Sequence, residues 1–139
     1  MTQIIRTRIK KGAEFDTRIF MLLGADIHFT APDLDKGSSG AAIYELECII
    51  WDDDTFFNDR LARKVVQIPQ IRIATVTSME IQFELLIAKL RESEPSSERV
   101  IELFGEFKLR RNGRQIGASR SSSNFNYRFP SGTPVASPA

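Results

Sequence analysis

Alternation of apolar and polar positions is the main signal in this chain, and it predicts a mostly β protein. From Ile19 to Phe29 every odd position is apolar, while the even positions become polar towards the end, so this strand has one solvated face. The segment from Tyr44 to Trp51 begins with outward glutamates and becomes apolar on both faces, as a central strand does on entering a core. Ile4 to Lys10 is a further predicted strand.

The second half of the chain contains the clearest local signal. Val100 to Leu109 alternates and leads to Arg111-Asn112-Gly113-Arg114, where Asn-Gly supplies the two positive-φ residues of a type I′ turn. Gln115 to Ala118 is therefore predicted to return antiparallel to residues 107–111. Phe125 to Phe129 is a short last strand with three aromatic residues on one face.

Residues 71–90 fit two patterns. The odd positions from Ile71 to Ile87 are apolar or Thr, as in a strand, whereas Phe83, Leu86, Ile87 and Leu90 also form a helical stripe. Thr77 to Glu80 resembles a capping box, which favours a helix over residues 78–90. The longer alternating run and its β-branched content favour the strand, and the helix remains the alternative.

These segments predict an all-β fold, an antiparallel β-sandwich or barrel of about seven or eight strands. One short helix is expected after Asp54, over residues 56–64. A single β domain is expected over residues 1–129, followed by a flexible tail over 130–139 that holds three prolines and no charge. The predicted connections are rich in turn-forming residues and lie at 32–40, 92–97 and 119–123.

Charge is distributed unevenly along the chain, although the formal net charge is only +1. Residues 1–11 and 107–139 contain no acid and carry ten of the 19 Lys and Arg, so all 18 Asp and Glu lie between them with nine bases. Basic ends and an acidic middle attract each other, within one chain or between chains. The residues expected to make these contacts are Arg6, Arg8, Arg110, Arg111, Arg114, Arg120, Phe125, Tyr127, Arg128 and Phe129.

The chain shows no recognisable catalytic constellation. Cys48 has the parity of apolar neighbours and is expected in the core, while the only histidine, His28, is expected at the surface. Gly-x-Ser-x-Gly, P-loop and His-Glu-x-x-His motifs do not occur. The sequence therefore favours a non-enzymatic structural or interaction module that self-assembles or docks a protein partner, by strand addition or a head-to-tail contact.

An acid-rich stretch directly follows the strand that ends at Trp51, and it suggests an alternative function. Its oxygen-bearing side chains are of the kind that Ca²⁺ prefers: Asp52, Asp53, Asp54, Asn58 and Asp59. A strand followed by an Asp-rich loop and Asn-Asp resembles the calcium loops of C2 domains, and this resemblance implies a calcium-dependent binding module. The EF-hand pattern does not fit, because it needs a Gly at the sixth loop position and a Glu at the twelfth. The other interpretation is a solvated acidic turn.

A second alternative is a nucleic-acid-binding β-barrel that uses the basic C-terminal strands. Its arginines would contact phosphates while the aromatic residues of 125–129 stack on bases. The acidic middle opposes a polyanion unless the basic strands share one face. The sequence has no apolar run of about 18 residues that a membrane span needs and no visible secretory signal, so a cytoplasmic location, or assembly into a larger particle, is expected.

Overall fold

A computed structural model describes residues 1–53, 58–93 and 99–130 of the chain. Within these residues, eight antiparallel strands form two sheets around a common core, which confirms the predicted all-β sandwich. The strands are β1 (Gln3–Glu14), β2 (Arg18–His28), β3 (Tyr44–Asp52), β4 (Asp59–Gln67), β5 (Val76–Leu86), β6 (Val100–Arg111), β7 (Arg114–Ser121) and β8 (Phe125–Arg128). The helices are α1 (Ala31–Ser39) and α2 (Ile87–Ser93), and a short 3₁₀ turn covers Gln70–Arg72.

The three-stranded sheet, sheet A, has the order β1-β2-β5, so β1 and β5 are its edges. Both strands pair antiparallel with β2 and therefore run in the same direction. The register places Arg8, Gly24 and Glu80 in one row across the sheet. In β5 every odd-numbered residue is buried and every even-numbered residue is exposed, so the even side chains define the outer face of sheet A.

The second sheet, sheet B, has the order β4-β3-β6-β7, and β8 pairs with the beginning of β6. Asn112 and Gly113 have φ angles of 50° and 81°, and Arg111 pairs with Arg114 across this turn. The predicted Asn-Gly hairpin and the antiparallel return of residues 115–118 are therefore confirmed. Because β3 is central, it is the most completely buried strand of sheet B.

The two sheets share one hydrophobic core, to which both contribute their inward-facing side chains. Gly105 of β6 faces Leu23 of β2 across this core, and a Cβ atom at Gly105 would lie 2.8 Å from the Cδ2 atom of Leu23. Leu23 therefore occupies the volume that a side chain at position 105 would need. Because protein interiors are closely packed, extra side-chain volume at position 105 is expected to lower the stability of the fold.

Residues 32–40, predicted as a turn-rich connection, are a helix, so that prediction is wrong. Pro32 lies in the first turn of α1, where a missing N–H is tolerated, and Gly40 ends the helix with a φ of 82°. Gly37 is buried, and a Cβ atom there would lie 2.8 Å from Ile73. Tertiary packing at Gly37 thus supports a helix that local propensity does not favour.

Two further boundaries also differ from the predictions. The helix expected over residues 56–64 is wrong from Asp59 onwards, because β4 begins there. Residues 54–57 lie outside the described part of the chain. The predicted turn at 119–123 is strand as far as Ser121.

Most of residues 71–90 form a strand. The predicted strand is confirmed over Val76–Leu86 as β5, whereas the alternative helix over 78–90 is wrong up to Leu86, because α2 begins only at Ile87. Neither α1 nor α2, the helices in the described part of the chain, is long and apolar enough to cross a membrane. The predicted tail lies outside the described residues from position 131 onwards.

Candidate interaction surfaces

The basic residues of β1 lie on the exposed face of sheet A. The side chains of Arg6, Arg8 and Lys10 are 72, 44 and 62% exposed. Both arginines lie 3.1 Å from Asp26 of β2, and Lys10 lies 3.8 Å from Glu80 of β5. The basic start of the chain therefore meets the acidic middle within one subunit.

Asp26 is the most buried carboxylate of this face. The hydrogen bond from Ser78 contributes most to lowering the pKa of Asp26, and the contacts with Arg8 and Arg6 add to it against the opposing effect of burial. Gly24 permits this arrangement, because a Cβ atom there would lie 2.5 Å from Nε of Arg8. Without that side chain, Arg8 lies across β2 and reaches Asp26.

Acidic side chains occupy the opposite edge of the same face. Glu80 and Glu84 of β5 are about half exposed, at 50 and 47%. Glu84 lies 3.1 Å from Arg18 of β2. One exposed face thus has a basic band on β1 and an acidic band on β5, separated by the width of β2.

The free edge of β5 is covered by cationic side chains. The carbonyl oxygen of Ser78 accepts a hydrogen bond of 3.2 Å from Arg72, and the carbonyl oxygen of Gln82 accepts one from Lys64. In the described part of the chain, β5 pairs with β2 alone. Lysine and arginine at a sheet edge oppose uncontrolled strand pairing.

An exposed apolar patch lies where the β1–β2 hairpin ends. The backbone N–H of Phe15 donates to the carbonyl oxygen of Arg18 at 2.8 Å, and the Phe15 ring packs edge-on against Phe20 with centroids 5.9 Å apart. The guanidinium carbon of Arg18 lies 5.2 Å from the Phe15 ring centre, a cation–π distance. Phe15 nevertheless remains 51% exposed, and Leu86, opposite Arg18, is 48% exposed.

A cleft of about 390 Å³ opens between β4 and β5 beside this patch. Its apolar lining residues are Leu61, Ala62, Leu85, Leu86 and Leu90. Its charged lining residues are Arg60, Glu84, Lys89 and Glu92. The cleft therefore lies on the side of β5 that faces away from β2.

In sheet B, basic β6 meets the acidic middle through Glu47 of β3. Its side chain is only 5% exposed, and Arg63 of β4 and Arg110 of β6 each donate to one of its carboxylate oxygens. Burial by itself raises the pKa of Glu47, but the two arginines outweigh burial and lower it. A buried carboxylate requires such compensation, so Arg110 is committed to a contact inside the subunit.

Arg111 belongs to a second internal network, centred on Asp33 of α1. The Asp33 carboxylate accepts hydrogen bonds from Thr2 at 2.6 Å, from the Tyr44 hydroxyl and from Arg111 at 2.8 Å. Burial raises the pKa of Asp33, but these donors outweigh it and lower the pKa to about 2. Burial and then the Asp33 contact raise the pKa of Tyr44 to about 12. The network joins α1 to β3, β6 and the start of the chain.

The other predicted basic residues are spread over the molecule. Arg120 donates to the carbonyl oxygen of Ile4 at 3.1 Å, while Arg114 and Arg128 are exposed on β7 and β8. Within the described residues, no carboxylate forms an ion pair with Arg114 or Arg128. Of the five arginines that a nucleic-acid contact would use, three are bound within the subunit: Arg110 to Glu47, Arg111 to Asp33 and Arg120 to the Ile4 carbonyl, whereas Arg114 and Arg128 are exposed.

The C-terminal aromatic residues face the core. Tyr127 and Phe129 are buried with ring centroids 5.5 Å apart, and Phe125 is partly buried. The Tyr127 hydroxyl donates to Glu14 at 2.6 Å, and this hydrogen bond lowers the pKa of Glu14. Burial and this contact raise the pKa of Tyr127. The hydrogen bond from Tyr127 to Glu14 ties β8 to the end of β1.

The candidate calcium ligands differ in burial, and one of them lies outside the described residues. Asp52 is fully buried at the end of β3, whereas Asp53 is partly buried and Asn58 is exposed. Asp59 pairs opposite Asp52 at the start of β4, and Asp54 lies outside the described residues. Within the described residues, no three His, Cys, Asp or Glu side chains are grouped to hold a metal ion.

Cys48 and His28, the other two residues considered for a chemical role, lie where the sequence predicted. Cys48 is buried in β3, and burial raises the pKa of its thiol to about 12. His28 is partly exposed at the end of β2, opposite Gln3 and Val76.

Sequence comparison gives no relative: no protein-family model and no curated protein matches this chain. Solved structures with a similar fold do exist. A glycosyl hydrolase family 2 member from Bacteroides cellulosilyticus DSM 14838 superposes with a TM-score of 0.53 at 13% identity, over 88% of this chain but only 14% of the hydrolase. A protein from Archaeoglobus fulgidus superposes with a TM-score of 0.50 at 10% identity, over 92% of this chain and 98% of that protein. At these identities the similarity establishes a shared β-rich fold.

Proposed function

We propose that this domain is a non-catalytic interaction module that self-assembles, or docks another protein subunit, through the edge strands of sheet A. The observation that carries the proposal is the opposite charge of these two edges on one exposed face. Its basic band is Arg6, Arg8 and Lys10 on β1, and its acidic band is Glu80 and Glu84 on β5. On this face each copy therefore has a basic side and an acidic side, and Lys64 and Arg72 also reach the free edge of β5.

A head-to-tail arrangement of copies matches the two bands. Because β1 and β5 run in the same direction, a copy displaced sideways in the plane of sheet A brings its β1 beside the β5 of its neighbour. Arg8 and Glu80 lie in the same row, so this displacement brings the β1 segment around Arg8, including Lys10, beside Glu80 of the neighbour without a shift along the strands. Such a contact is heterologous, and repetition gives a ring or a filament.

The ion pairs within one subunit leave the acidic band available. Lys10–Glu80 and Arg18–Glu84 are exposed pairs, separated by 3.8 and 3.1 Å, and exposed ion pairs contribute about 0–1 kcal/mol. Exchanging one of them for a pair with a neighbouring copy therefore costs little. Asp26, in contrast, is mostly buried and keeps its two arginines.

Native mass measured by light scattering tests this proposal. We expect assemblies at about 50 mM salt that dissociate at about 500 mM, because exposed charges are screened. Lys10→Glu and Glu80→Lys should each reduce assembly, and an equimolar mixture should restore it, since each variant supplies the edge that the other lacks. Lys36→Glu, an equal charge change on α1, is the matched control. A monomeric mass for the unaltered chain at every salt concentration contradicts self-assembly.

A further inference from the structure

We infer that Phe15 of one copy inserts into the cleft between β4 and β5 of the next copy, so that the partner of this cleft is a second copy of the chain. The inference rests on the proposed head-to-tail association and adds an apolar contact to the charge match. It assigns a role to two features of the described residues: the half-exposed Phe15 ring and the cleft, which is lined by both apolar and charged side chains.

Phe15 is suited to act as a fixed projection. The turn that carries it is closed by the hydrogen bond from its N–H to the Arg18 carbonyl at 2.8 Å. Phe20 and the Arg18 guanidinium hold the ring from the side, at 5.9 and 5.2 Å. Because the ring is already held in place, docking it loses little conformational entropy. The 51% of Phe15 that remains exposed is apolar surface that gains by leaving water.

The cleft is suited to receive an aromatic ring. Its volume of about 390 Å³ exceeds the roughly 150 Å³ that accommodates benzene in an engineered cavity. Leu61, Ala62 and Leu90 supply apolar walls, and Leu86, 48% exposed, lies beside the opening. Arg60, Glu84, Lys89 and Glu92 also line the cleft, so an occupant meets both apolar and charged side chains.

The register of sheet A brings the two features to the same height. Glu14 pairs with Ile19, and Ile19 pairs with Leu85, so the hairpin tip after Glu14 lies level with the end of β5. The sideways displacement that brings Arg8 beside Glu80 of a neighbour therefore also brings Phe15 beside its Leu86 and the cleft. A single sideways translation therefore allows both the charged contact at Glu80 and the apolar contact at the cleft.

Self-association of Phe15 variants tests the inference, measured by sedimentation velocity at about 50 mM salt. We expect Phe15→Ser to weaken association at least about tenfold, while Phe15→Leu retains most of it. Ile71→Ser is the matched control, because Ile71 is 94% exposed on the 3₁₀ turn, away from both features. Unchanged thermal melting of each variant would show that the fold is intact.

Directed cross-linking gives a second, positive readout. A mixture of Phe15→Cys and Ala62→Cys should form a mixed disulfide dimer, and neither variant alone should form a dimer through its new thiol. Cys48 does not interfere, since it is buried. If the unaltered chain assembles but Phe15→Ser assembles equally well and no mixed dimer forms, the inference is overturned and the proposed function stands. If the unaltered chain is monomeric throughout, the proposed self-assembly fails first, and the inference with it.

Discussion

Replacing Asp33 by asparagine tests the network that holds α1 against the sandwich. The substitution keeps the size of the side chain but removes its charge and replaces one carboxylate oxygen with an NH₂ group. Thr2, Tyr44 and Arg111 all donate hydrogen bonds to the carboxylate. In the variant, the single remaining oxygen can accept from at most two of these three donors, so at least one of them loses this acceptor.

The structure sets the size of the expected effect. The pKa of Asp33 is lowered from 3.8 to about 2, and one pKa unit corresponds to about 1.4 kcal/mol. The folded state therefore favours the charged carboxylate over its neutral form by roughly 2–3 kcal/mol more than the unfolded chain does. A buried donor left without an acceptor adds about 1–3 kcal/mol. We expect Asp33→Asn to lower the free energy of unfolding by roughly 3–6 kcal/mol at pH 7.

The effect should depend on pH in a defined direction. Because the pKa of Asp33 is lower in the folded state, its contribution is fully present above about pH 4 and is lost as the pH falls towards about 2. The difference between the unaltered chain and the variant should therefore narrow between pH 4 and pH 2. A constant difference over this range would mean that packing, and not charge, explains the loss.

Urea unfolding followed by Trp51 fluorescence measures both quantities. Asp35→Asn is the matched control, since Asp35 is exposed on the same helix and should change stability by less than about 0.5 kcal/mol. A loss below about 0.5 kcal/mol for Asp33→Asn at pH 7 would refute the reasoning, because the network would then contribute no more than an exposed residue.

Three further outcomes are expected. Lys64→Ala uncovers the Gln82 carbonyl at the β5 edge, so light scattering should show stronger self-association; unchanged mass would mean that Lys64 does not protect this edge. Gly105→Val adds volume against Leu23 and should cost about 1–3 kcal/mol in urea unfolding, a loss that Leu23→Ala in the same chain should partly offset. Cys48 should not react with a thiol reagent at pH 8 in the folded protein, because burial raises its thiol pKa to about 12, and it should react at once in denaturant; rapid reaction in the native state would contradict its burial.

The strands that the sequence predicted are those whose side chains alternate between a core and water. β5 alternates without exception, and the β6–β7 hairpin has both alternation and an Asn-Gly turn. β4 lacks this signal, because it is an edge strand with several exposed residues on both faces. Alternation reports burial on one face, so a strand without that burial has no period to detect.

Helix α1 and the cleft beside Leu86 were not predicted from the sequence, and the reason is the same for both. Residues 32–40 contain Pro, Gly and Ser, and they form α1 because Gly37 packs on Ile73 and Asp33 binds Arg111. Both contacts join residues far apart in the sequence. The cleft beside Leu86 likewise forms only when β4, β5 and α2 come together. The basic segments were visible in the sequence, but their carboxylate partners were not.

Glu47 also influences which alignment of sheet B is possible. It lies between Arg63 on one neighbouring strand and Arg110 on the other. A slip of either neighbour by one residue would turn its arginine towards the core and leave the carboxylate with half of its compensation. β4 has little hydrophobic alternation to fix its register against β3. The ion pair between Arg63 and Glu47 therefore favours the observed register over registers shifted by one residue.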